Sequence, residues 1–404
     1  MLRPGRRGPP EIRRPPQRAA PAARDSADGA RPVAGEDLSV TINAGLEGIV
    51  VAETDLSLVD GKNGYLVYRG NWAKDLAISR TYEDVVHLLW RGHLPDERES
   101  EAFRAELAAR RKLPDYLKTI IRALPPETDT MSVLRTATSA IGDRSFAWPP
   151  TFEQASEILA KAPTIIAYRN ALNTGRDPIE PDESLGHAEN YLYMLHGEKP
   201  TRVHTRALDA YIILTAEHGL NASTFTGRVI TSTRSDIASA ITGAIGALKG
   251  PLHGGAPSEV DTMLEEIGTK ENAEPWLRQQ IEAGERLMGF GHRVYKTMDP
   301  RAVALRQVSD SFAGEDPWFD LSVHVEETAV RLLSEYKPGR NLYPNVEFWA
   351  AAVLRGVRIP TDLYTPTFGL ARMAGWSAHI LEQADKNRLI RPESTYVGEM
   401  PKAS

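Results

Sequence analysis

The stretch GPLHGGAP, residues 250–257, separates two helical patterns by a tight turn that presents one histidine. Upstream, residues 235–248 are so rich in alanine and glycine that they predict a helix with another backbone packed closely against it. Downstream, Pro257 suits the first position of a helix, where its missing N–H costs nothing. His253 is therefore predicted just ahead of a helix N-terminus, whose positive end disfavours imidazolium. A neutral histidine with a fixed N–H can polarise a carbonyl oxygen. A hydrogen-bonded core histidine is the alternative.

Helical periodicity runs through most of the remaining chain. Thr81 and Asp84 have the spacing of a capping box and predict a helix that continues to Trp90. No alternation of strands and helices supports a doubly wound sheet, and residues 40–60 have room for a short strand or two. We therefore predict a mostly α fold, with a turn at 68–70. The other predicted helices span 152–171 with a kink at Pro163, 188–195 ending at Gly197, and 203–218 ending at Gly219.

Composition excludes several classes of protein. The chain has 404 residues, a net charge of −6 and no cysteine, so we expect no disulfide framework, no thiolate chemistry and no nucleic-acid partner. Apart from weak coincidences, its ten histidines do not cluster with carboxylates at ligand spacing, and we predict no metal site. The longest uncharged apolar run, near residues 237–248, is too short to cross a membrane.

Residues 1–37 differ from the rest, because they hold eight arginines and seven prolines without an apolar period. We interpret them as a disordered arm. With one serine and five acidic residues, the arm lacks the features of a mitochondrial transit peptide, and no apolar core follows its charges as a secretory signal requires. The prediction is a cytoplasmic protein with no membrane partner.

Ser239, Gly243 and Ala247 place a small residue at every fourth position of the alanine-rich helix. In a soluble chain this row allows close helix packing. The packing could lie in the core or across a dimer, and the pattern alone does not choose between them.

A second histidine lies in the loop MGFGHRVYK, residues 288–296. Two glycines let the backbone approach a ligand closely. His292, Arg293, Lys296 and Arg301 concentrate positive charge within ten residues, which predicts binding of a polyanion. An ordinary basic loop is the alternative.

The stretch LYPNVEFWAAAVL, residues 342–354, predicts a buried helix that carries one carboxylate, Glu347, in its first turn. Plain stabilisation of the helix N-terminus is one interpretation of that carboxylate. A charge on so apolar a helix is costly unless it is paired or used, so Glu347 is also a candidate general base. Arg301, Arg372 and Arg391 could clamp a di- or tricarboxylate through bidentate contacts, although each alone could be a surface salt-bridge partner.

Taken together, these pieces resemble a bacterial citrate synthase over residues 46–398, and the related 2-methylcitrate synthases carry the same motifs. The motifs are GLEG at 45–48, YRG at 68–70, HGLNAS at 218–223, the turn at 250–257, the loop from His292 to Arg301, PNVE at 344–347, and Arg391-Pro392. The resemblance implies a mostly helical homodimer with two domains around a cleft. The large domain would take residues 38–254 and 359–404, and the small domain residues 255–358.

The resemblance also implies roles for single residues in an acyltransferase of the tricarboxylic acid cycle. His253 would hydrogen-bond the thioester oxygen of acetyl-CoA, Glu347 would remove the methyl proton, and His292 would polarise the keto group of oxaloacetate. His218, Arg301, Arg372 and Arg391 would bind the carboxylates of oxaloacetate, with Arg391 coming from the other subunit, and Lys296 would face the coenzyme phosphates. Citrate and coenzyme A would be released, and no permanently bound cofactor is implied.

Two departures from the family pattern leave alternatives open. The base is usually aspartate and is here Glu347, and Gly219 follows His218 where an acidic residue is often found. The longer side chain of Glu347 changes the geometry of proton removal. The glutamate leaves open a citrate-synthase-like protein that binds ligand without turnover. The other alternative is a 2-methylcitrate synthase that uses propionyl-CoA, because one methylene group changes selectivity by only about 1–3 kcal/mol.

Overall fold

A computed structural model describes residues 44–46, 48–254, 256–291, 297–310, 317–340, 342–399 and 401. The predicted disordered arm, residues 1–37, and the predicted site residues His292 and Lys296 lie outside the described residues. The chain divides into a short unit made from its two ends, residues 1–51 and 394–404, and a large unit, residues 52–393. In the short unit, the described residues include a single 3-10 turn, Ala44–Leu46. The α-helices and strands of the described residues lie in the large unit.

The large unit is mostly helical, as the periodicity predicts. The first eight helices of the described chain are α1 (Ala73–Ser79), α2 (Tyr82–Arg91), α3 (Glu97–Arg110), α4 (Asp115–Ala123), α5 (Thr130–Ile141), α6 (Phe152–Asn173), α7 (His187–His196) and α8 (Arg202–Ala216). The next eight are α9 (Ala222–Ser232), α10 (Ile237–Leu248), α11 (Ala256–Ile267), α12 (Lys270–Glu282), α13 (Pro300–Ser309), α14 (Pro317–Tyr336), α15 (Val346–Gly356) and α16 (Tyr364–Asp385). Within the described ranges, no helix combines the length and hydropathy needed to cross a membrane.

Three short strands precede the helices and form one antiparallel sheet in the order β1 (Ser57–Asp60), β2 (Tyr65–Tyr68) and β3 (Asn71–Trp72). Ser57 pairs with Tyr68, and Tyr68 pairs with Asn71. The connection between β2 and β3 is the predicted turn, and both its central residues have positive φ, 46° at Arg69 and 79° at Gly70. Two positive φ values suit a two-residue hairpin turn, whose twist matches that of the strands.

The helix boundaries follow local capping chemistry. Thr81 and Asp84 form the predicted capping box at the start of α2. Gly197, with φ of 79°, ends α7 as predicted. The prediction for α8 is wrong by two residues, because the helix ends at Ala216 and Glu217 is already extended. Glu217 leaves the helix to form buried hydrogen bonds, which propensity alone does not show.

Helix α16 lies at the centre of the large unit and packs against α2, α5, α6, α8, α9, α10 and α11. Its middle, residues 369–380, is buried on every side. A helix that is apolar nearly all round is typical of such a position. Arg372 and His379 are the ionisable side chains buried in this middle part. Burying a charge is costly unless the group is paired, so these two side chains need specific partners.

A pair of buried carboxyl groups lies between α2 and α8, away from the residues singled out by the sequence. Asp209 accepts a hydrogen bond from the backbone N–H of Tyr82 at 3.2 Å and pairs with Arg206 at 3.3 Å. Burial raises the pKa of Asp209 to about 8, and the negative charge of the nearby Glu83 adds to this shift. The fold therefore favours the protonated form of this carboxyl group.

We expect Asp209→Asn to flatten the dependence of stability on pH. A carboxyl group with a raised folded-state pKa contributes its full stability below the unfolded value of 3.8 and loses it as the pH rises through about 8. From about pH 5 to about pH 9, the melting temperature of the wild type should fall further than that of the variant. Circular dichroism at both pH values measures this. Asp60→Asn, at the end of β1, should keep the wild-type fall. An equal fall in Asp209→Asn would exclude Asp209 as the titrating group.

Candidate active site

The turn around His253 connects α10 to α11, as the sequence predicts. Backbone N–H groups of His253 and Gly254 both donate to the carbonyl of Gly250, at 2.9 and 3.2 Å. A Cβ on Gly254 would lie 2.3 Å from the carbonyl oxygen of Leu248, so only glycine fits there. The close approach of two backbones fixes where the half-buried ring of His253 lies.

Ser223, at the start of α9, holds the Nε2 edge of the His253 ring. Its Oγ lies 2.9 Å from Nε2, and its backbone nitrogen lies 3.4 Å from the same atom. The indole N–H of Trp376 donates to Ser223 Oγ at 3.0 Å, and Asn221 Oδ1 lies 2.7 Å away. Both contacts are made by Nε2, so Ser223 sets the orientation of the His253 ring.

The His253 ring is neutral at neutral pH. Burial, helped by the charge of Arg372, lowers the pKa of His253 to about 4. The sequence predicted a neutral His253 from its position ahead of a helix N-terminus, but in the structure burial is the largest cause of the lowered pKa. Ser223 and Trp376 were not predicted as members of this group. Trp376 lies 153 residues from Ser223 in the chain, so no local pattern connects them.

Glu347 lies in the first turn of α15, where the sequence places it. Asn345 caps the helix by accepting the N–H of Glu347 at 3.1 Å. The carboxylate oxygen Oε2 is buried and has no hydrogen-bond partner within the described residues. Burial raises the pKa of Glu347, while the charge of Arg301 opposes the shift. A desolvated carboxylate with an unused oxygen is suited to accept a proton.

The loop that leads to His292 pairs with the chain just before α15. Gly291 donates to Tyr343 O, Asn345 donates to Gly289 O, and the Asn345 side chain donates to Gly291 O, each at 2.8 Å. Gly289 has φ of 80°, and a Cβ there would lie 2.8 Å from the Cβ of Phe348. This glycine therefore serves close packing on α15 rather than only the approach of a ligand. The pairing brings the residues before His292 beside the helix of Glu347.

Arg301 is held by an aspartate that sequence reasoning missed. Asp299 Oδ1 accepts from Arg301 Nε at 3.0 Å, and Asp299 Oδ2 accepts from Nη2 at 2.8 Å. The same Oδ2 also accepts the N–H of Val346, the first residue of α15, at 3.1 Å. Asp299 thus orients a buried guanidinium and ties it to the helix that carries Glu347. Asp299 is also the N-cap of α13, where its Oδ1 accepts the N–H of Arg301 at 3.0 Å.

Arg372 is buried in the middle of α16, where its Nε donates to the carbonyl of Thr215 at 2.7 Å. Its guanidinium lies 4.8 Å from the ring centre of Phe368. Burial lowers the pKa of Arg372, the charge of Glu217 opposes that shift, and the charge of Arg301 adds to it. The charge of Arg372 in turn helps burial to lower the pKa of His253. The structure therefore brings Arg372, Arg301, Glu347 and His253 into one electrostatic neighbourhood.

His218 is half-buried in the turn between α8 and α9, directly after the buried Glu217. Glu217 Oε1 accepts from Ser57 Oγ at 2.9 Å and from the N–H of Gly219 at 2.5 Å. A Cβ on Gly375 of α16 would lie 2.4 Å from Glu217 Oε2. Glu217 thus holds the turn that carries His218 between β1 and α16, and no local sequence pattern indicates this role.

Within one chain, no contact among the described residues joins Arg391 to the other candidate site residues. It is exposed in the extended segment after α16. The segment is anchored on the last residue of α9, because Asn387 Nδ2 donates to Ser232 O at 3.1 Å and Ile390 N donates to Ser232 Oγ at 3.0 Å. The anchor fixes where Arg391 projects from the surface of its own chain.

One group of side chains in the described chain has the composition of a metal site. His87, His93 and Glu99 each place one ligand atom within 4.8 Å of the others. Glu99 is also the capping-box residue of α3, since it accepts the N–H of Asp96 at 3.0 Å. Helix capping accounts for this carboxylate, and the absence of a metal site stays a prediction.

Comparison with known proteins gives consistent matches over nearly the whole chain. A family model described as the citrate synthase C-terminal domain matches residues 45–393. The citrate synthase of Haloferax volcanii is 44% identical over 375 residues, which cover 90% of this chain and 97% of that protein. The 2-methylcitrate synthase of Shewanella oneidensis is 38% identical, over 91% of this chain and 97% of that protein.

A solved structure of the same kind shares the fold. It is the citrate synthase of Thermoplasma acidophilum, in a ternary complex with carboxymethyl coenzyme A and oxaloacetate. The TM-score is 0.81 at 31% sequence identity, with 90% of this chain and 98% of that chain covered. The predicted mostly α architecture is thereby confirmed.

Proposed function

Because this chain belongs to the citrate synthase family, we propose that it condenses oxaloacetate with acetyl-CoA to citrate and coenzyme A. It is an enzyme of the citrate synthase type. The observation that carries the proposal is Glu347, a carboxylate whose buried oxygen has no hydrogen-bond partner among the described residues and whose pKa is influenced by the charge of the oriented Arg301. Proton removal next to a thioester needs such a base.

In the proposed first step, Glu347 removes a proton from the methyl group of acetyl-CoA. The developing enolate oxygen needs a hydrogen-bond donor that carries no charge of its own. His253 meets this need, because its lowered pKa keeps the ring neutral while it still carries one N–H. The charge on the enolate is then stabilised by a hydrogen bond rather than cancelled by proton transfer.

The enolate carbon then attacks the keto carbon of oxaloacetate, and the keto oxygen takes up a proton as the new bond forms. His292, proposed from the sequence motif, polarises that oxygen. His218, Arg301 and Arg372 bind the carboxylates, a role supported by the burial of both arginines and by their orientation through Asp299 and Thr215. Water then cleaves the citryl thioester, which releases citrate and coenzyme A, with Lys296 proposed at the coenzyme phosphates.

We further propose a small domain over residues 255–358, a large domain from the flanking segments, and a cleft between them that closes over the substrates. Helices α11 to α15 pack on one another, α11 and α13 each against α15, and α12 against α14. Asp299 connects Arg301 of this group to the start of α15. Closure around bound substrates would exclude water from the enolate.

A homodimer is the proposed assembly, with Arg391 completing the oxaloacetate site of the partner. In one chain, Gly243 packs against Ile230 of α9, where a Cβ on the glycine would lie 2.2 Å from Ile230 Cδ1. Ser239 is exposed and Ala247 is half-buried, so the ends of the small-residue row of α10 are only partly covered. Helix α9 packs beside α10 and anchors the segment of Arg391. A second copy that covers the row would therefore lie next to Arg391.

Propionyl-CoA is the alternative acyl donor, because a 2-methylcitrate synthase is among the relatives. One methylene group changes selectivity by only about 1–3 kcal/mol in an apolar pocket. We expect release of coenzyme A that depends on oxaloacetate, with a higher kcat/KM for acetyl-CoA than for propionyl-CoA. A thiol reagent measures it without background, because the chain has no cysteine. A higher kcat/KM for propionyl-CoA would assign the second activity, and no release with either would contradict the proposed function.

A further inference from the structure

A continuous row of hydrogen-bonded side chains runs through the interior from α9 and α16 to the turn of His218. Arg228 Nη1 donates to Glu382 Oε2 at 2.6 Å and lies 2.8 Å from His379 Nδ1. His379 Nε2 lies 3.1 Å from Glu217 Oε1. We name these four residues, Arg228, Glu382, His379 and Glu217, the Glu217 network. Arg228, His379 and Glu217 are buried, and His379 and Glu217 are fully inaccessible to solvent.

The contacts of His379 determine which of its nitrogens carries the proton. A guanidinium N–H can only donate, so Nδ1 must accept from Arg228. Glu217 Oε1 is a carboxylate oxygen that accepts, so Nε2 must carry the proton and donate to it. The ring is therefore held in a single orientation between a fixed donor and a fixed acceptor.

Glu217 stays ionised in the interior because of this arrangement. Burial alone would raise the pKa of Glu217, but His379, Arg372 and Ser57 outweigh burial and lower it. The carboxylate lies directly before His218 and accepts the N–H of Gly219, directly after it. It also acts electrostatically on Arg372. Glu217 thus holds the turn of His218 by a hydrogen bond and acts through its charge on Arg372, and both residues are proposed oxaloacetate ligands.

We propose that His379 is a positioning residue for oxaloacetate, which holds Glu217 so that the His218 turn and Arg372 are set before the substrate binds. The inference rests on the proposed function, because it needs His218 and Arg372 as oxaloacetate ligands. His379 itself touches no substrate. Its effect is on the geometry of the empty site, so losing the Nε2 donor weakens oxaloacetate binding even without acyl-CoA.

Two substitutions of His379 separate its two contacts. Asparagine places an amide oxygen near the position of Nδ1, so His379→Asn keeps an acceptor for Arg228 and loses the donor to Glu217. Glutamine places an amide N–H near the position of Nε2, so His379→Gln keeps the donor to Glu217. Calorimetric titration with oxaloacetate alone should show a dissociation constant raised about tenfold in His379→Asn, whereas His379→Gln stays near the wild-type value.

A matched control is His187→Asn, because His187 is equally buried, on α7, and its ring nitrogens have no hydrogen-bond partner within the described residues. This variant should lower the melting temperature without changing the dissociation constant. If His379→Asn binds oxaloacetate like the wild type, or if Asn and Gln weaken binding equally, the positioning role is overturned.

Ser57→Ala keeps the test decisive if the His379 variants do not fold. Ser57 lies half-buried on β1 and donates to the same carboxylate oxygen at 2.9 Å. Its loss should raise the dissociation constant two- to threefold by this reasoning, and an unchanged constant would contradict the role of Glu217. Binding by the wild type tests the proposed function separately. If the wild type binds no oxaloacetate, both the proposed function and the positioning role are overturned. If it binds, the ratios of the variants' dissociation constants to that of the wild type test the Glu217 network alone.

Discussion

Glu347→Gln is expected to lower kcat by about 10²–10⁴, the usual contribution of a general base. Glutamine keeps the size of the side chain and its position on α15 but cannot accept a proton from the methyl group. The dissociation constant for oxaloacetate should change little, because the oxaloacetate ligands proposed above lie on other residues. Release of coenzyme A under saturating substrates measures the effect.

Glu347→Asp is the matched control, because it keeps the carboxylate and draws it back by one methylene group. It should retain more activity than Glu347→Gln. The rate of the wild type should rise with pH through the pKa of Glu347, which burial raises above its usual range. That limb should disappear in Glu347→Gln. If Glu347→Gln keeps the wild-type kcat, Glu347 is not the general base.

The second large effect is expected from mixing two inactive variants. Arg391→Ala and Glu347→Gln should each be nearly inactive as dimers of one kind. Loss of a bidentate arginine at a buried carboxylate costs on the order of 2–5 kcal/mol. After exchange of subunits, a heterodimer has one site that lacks both groups and one site that has Glu347 from one chain and Arg391 from the other.

Activity should therefore return to half of the wild-type value per heterodimer. In an equimolar mixture with random exchange, this is about a quarter of the wild-type activity per chain. Native mass spectrometry shows the extent of exchange, and the unmixed variants give the baseline. If heterodimers form and activity stays at that baseline, Arg391 serves its own chain or none, and the shared site is excluded.

Local chemistry in the sequence predicted much of the fold. The capping box of Thr81, the αL glycine at 197 and the turn at 68–70 depend on residues within four positions of one another, and all three are confirmed. The same holds for the turn that presents His253, where Gly254 has room only as glycine. Such features depend on backbone sterics and adjacent hydrogen bonds, which a single sequence contains.

The supporting contacts of the site could not be predicted in this way. His379 and Glu217 are 162 residues apart in the chain, and Trp376 and Ser223 are 153 apart. Glu217 breaks α8 two residues early because of buried partners on β1 and α16. These contacts follow from tertiary packing, which overrides helix periodicity. The contact of Asp299 with Arg301 depends on a side-chain orientation that no local pattern shows.

The central helix α16 carries Arg372, Trp376, His379 and Gln383, which reach Thr215, Ser223, Glu217 and Arg228. Their spacing of four, three and four residues keeps all four on one side of the helix. Adding or deleting one residue between 372 and 383 would turn everything beyond it by about 100°. At least one of these contacts would then face the wrong neighbour. The number of residues between Arg372 and Gln383 therefore fixes which neighbours these side chains reach, so this stretch should tolerate substitutions better than a change of length.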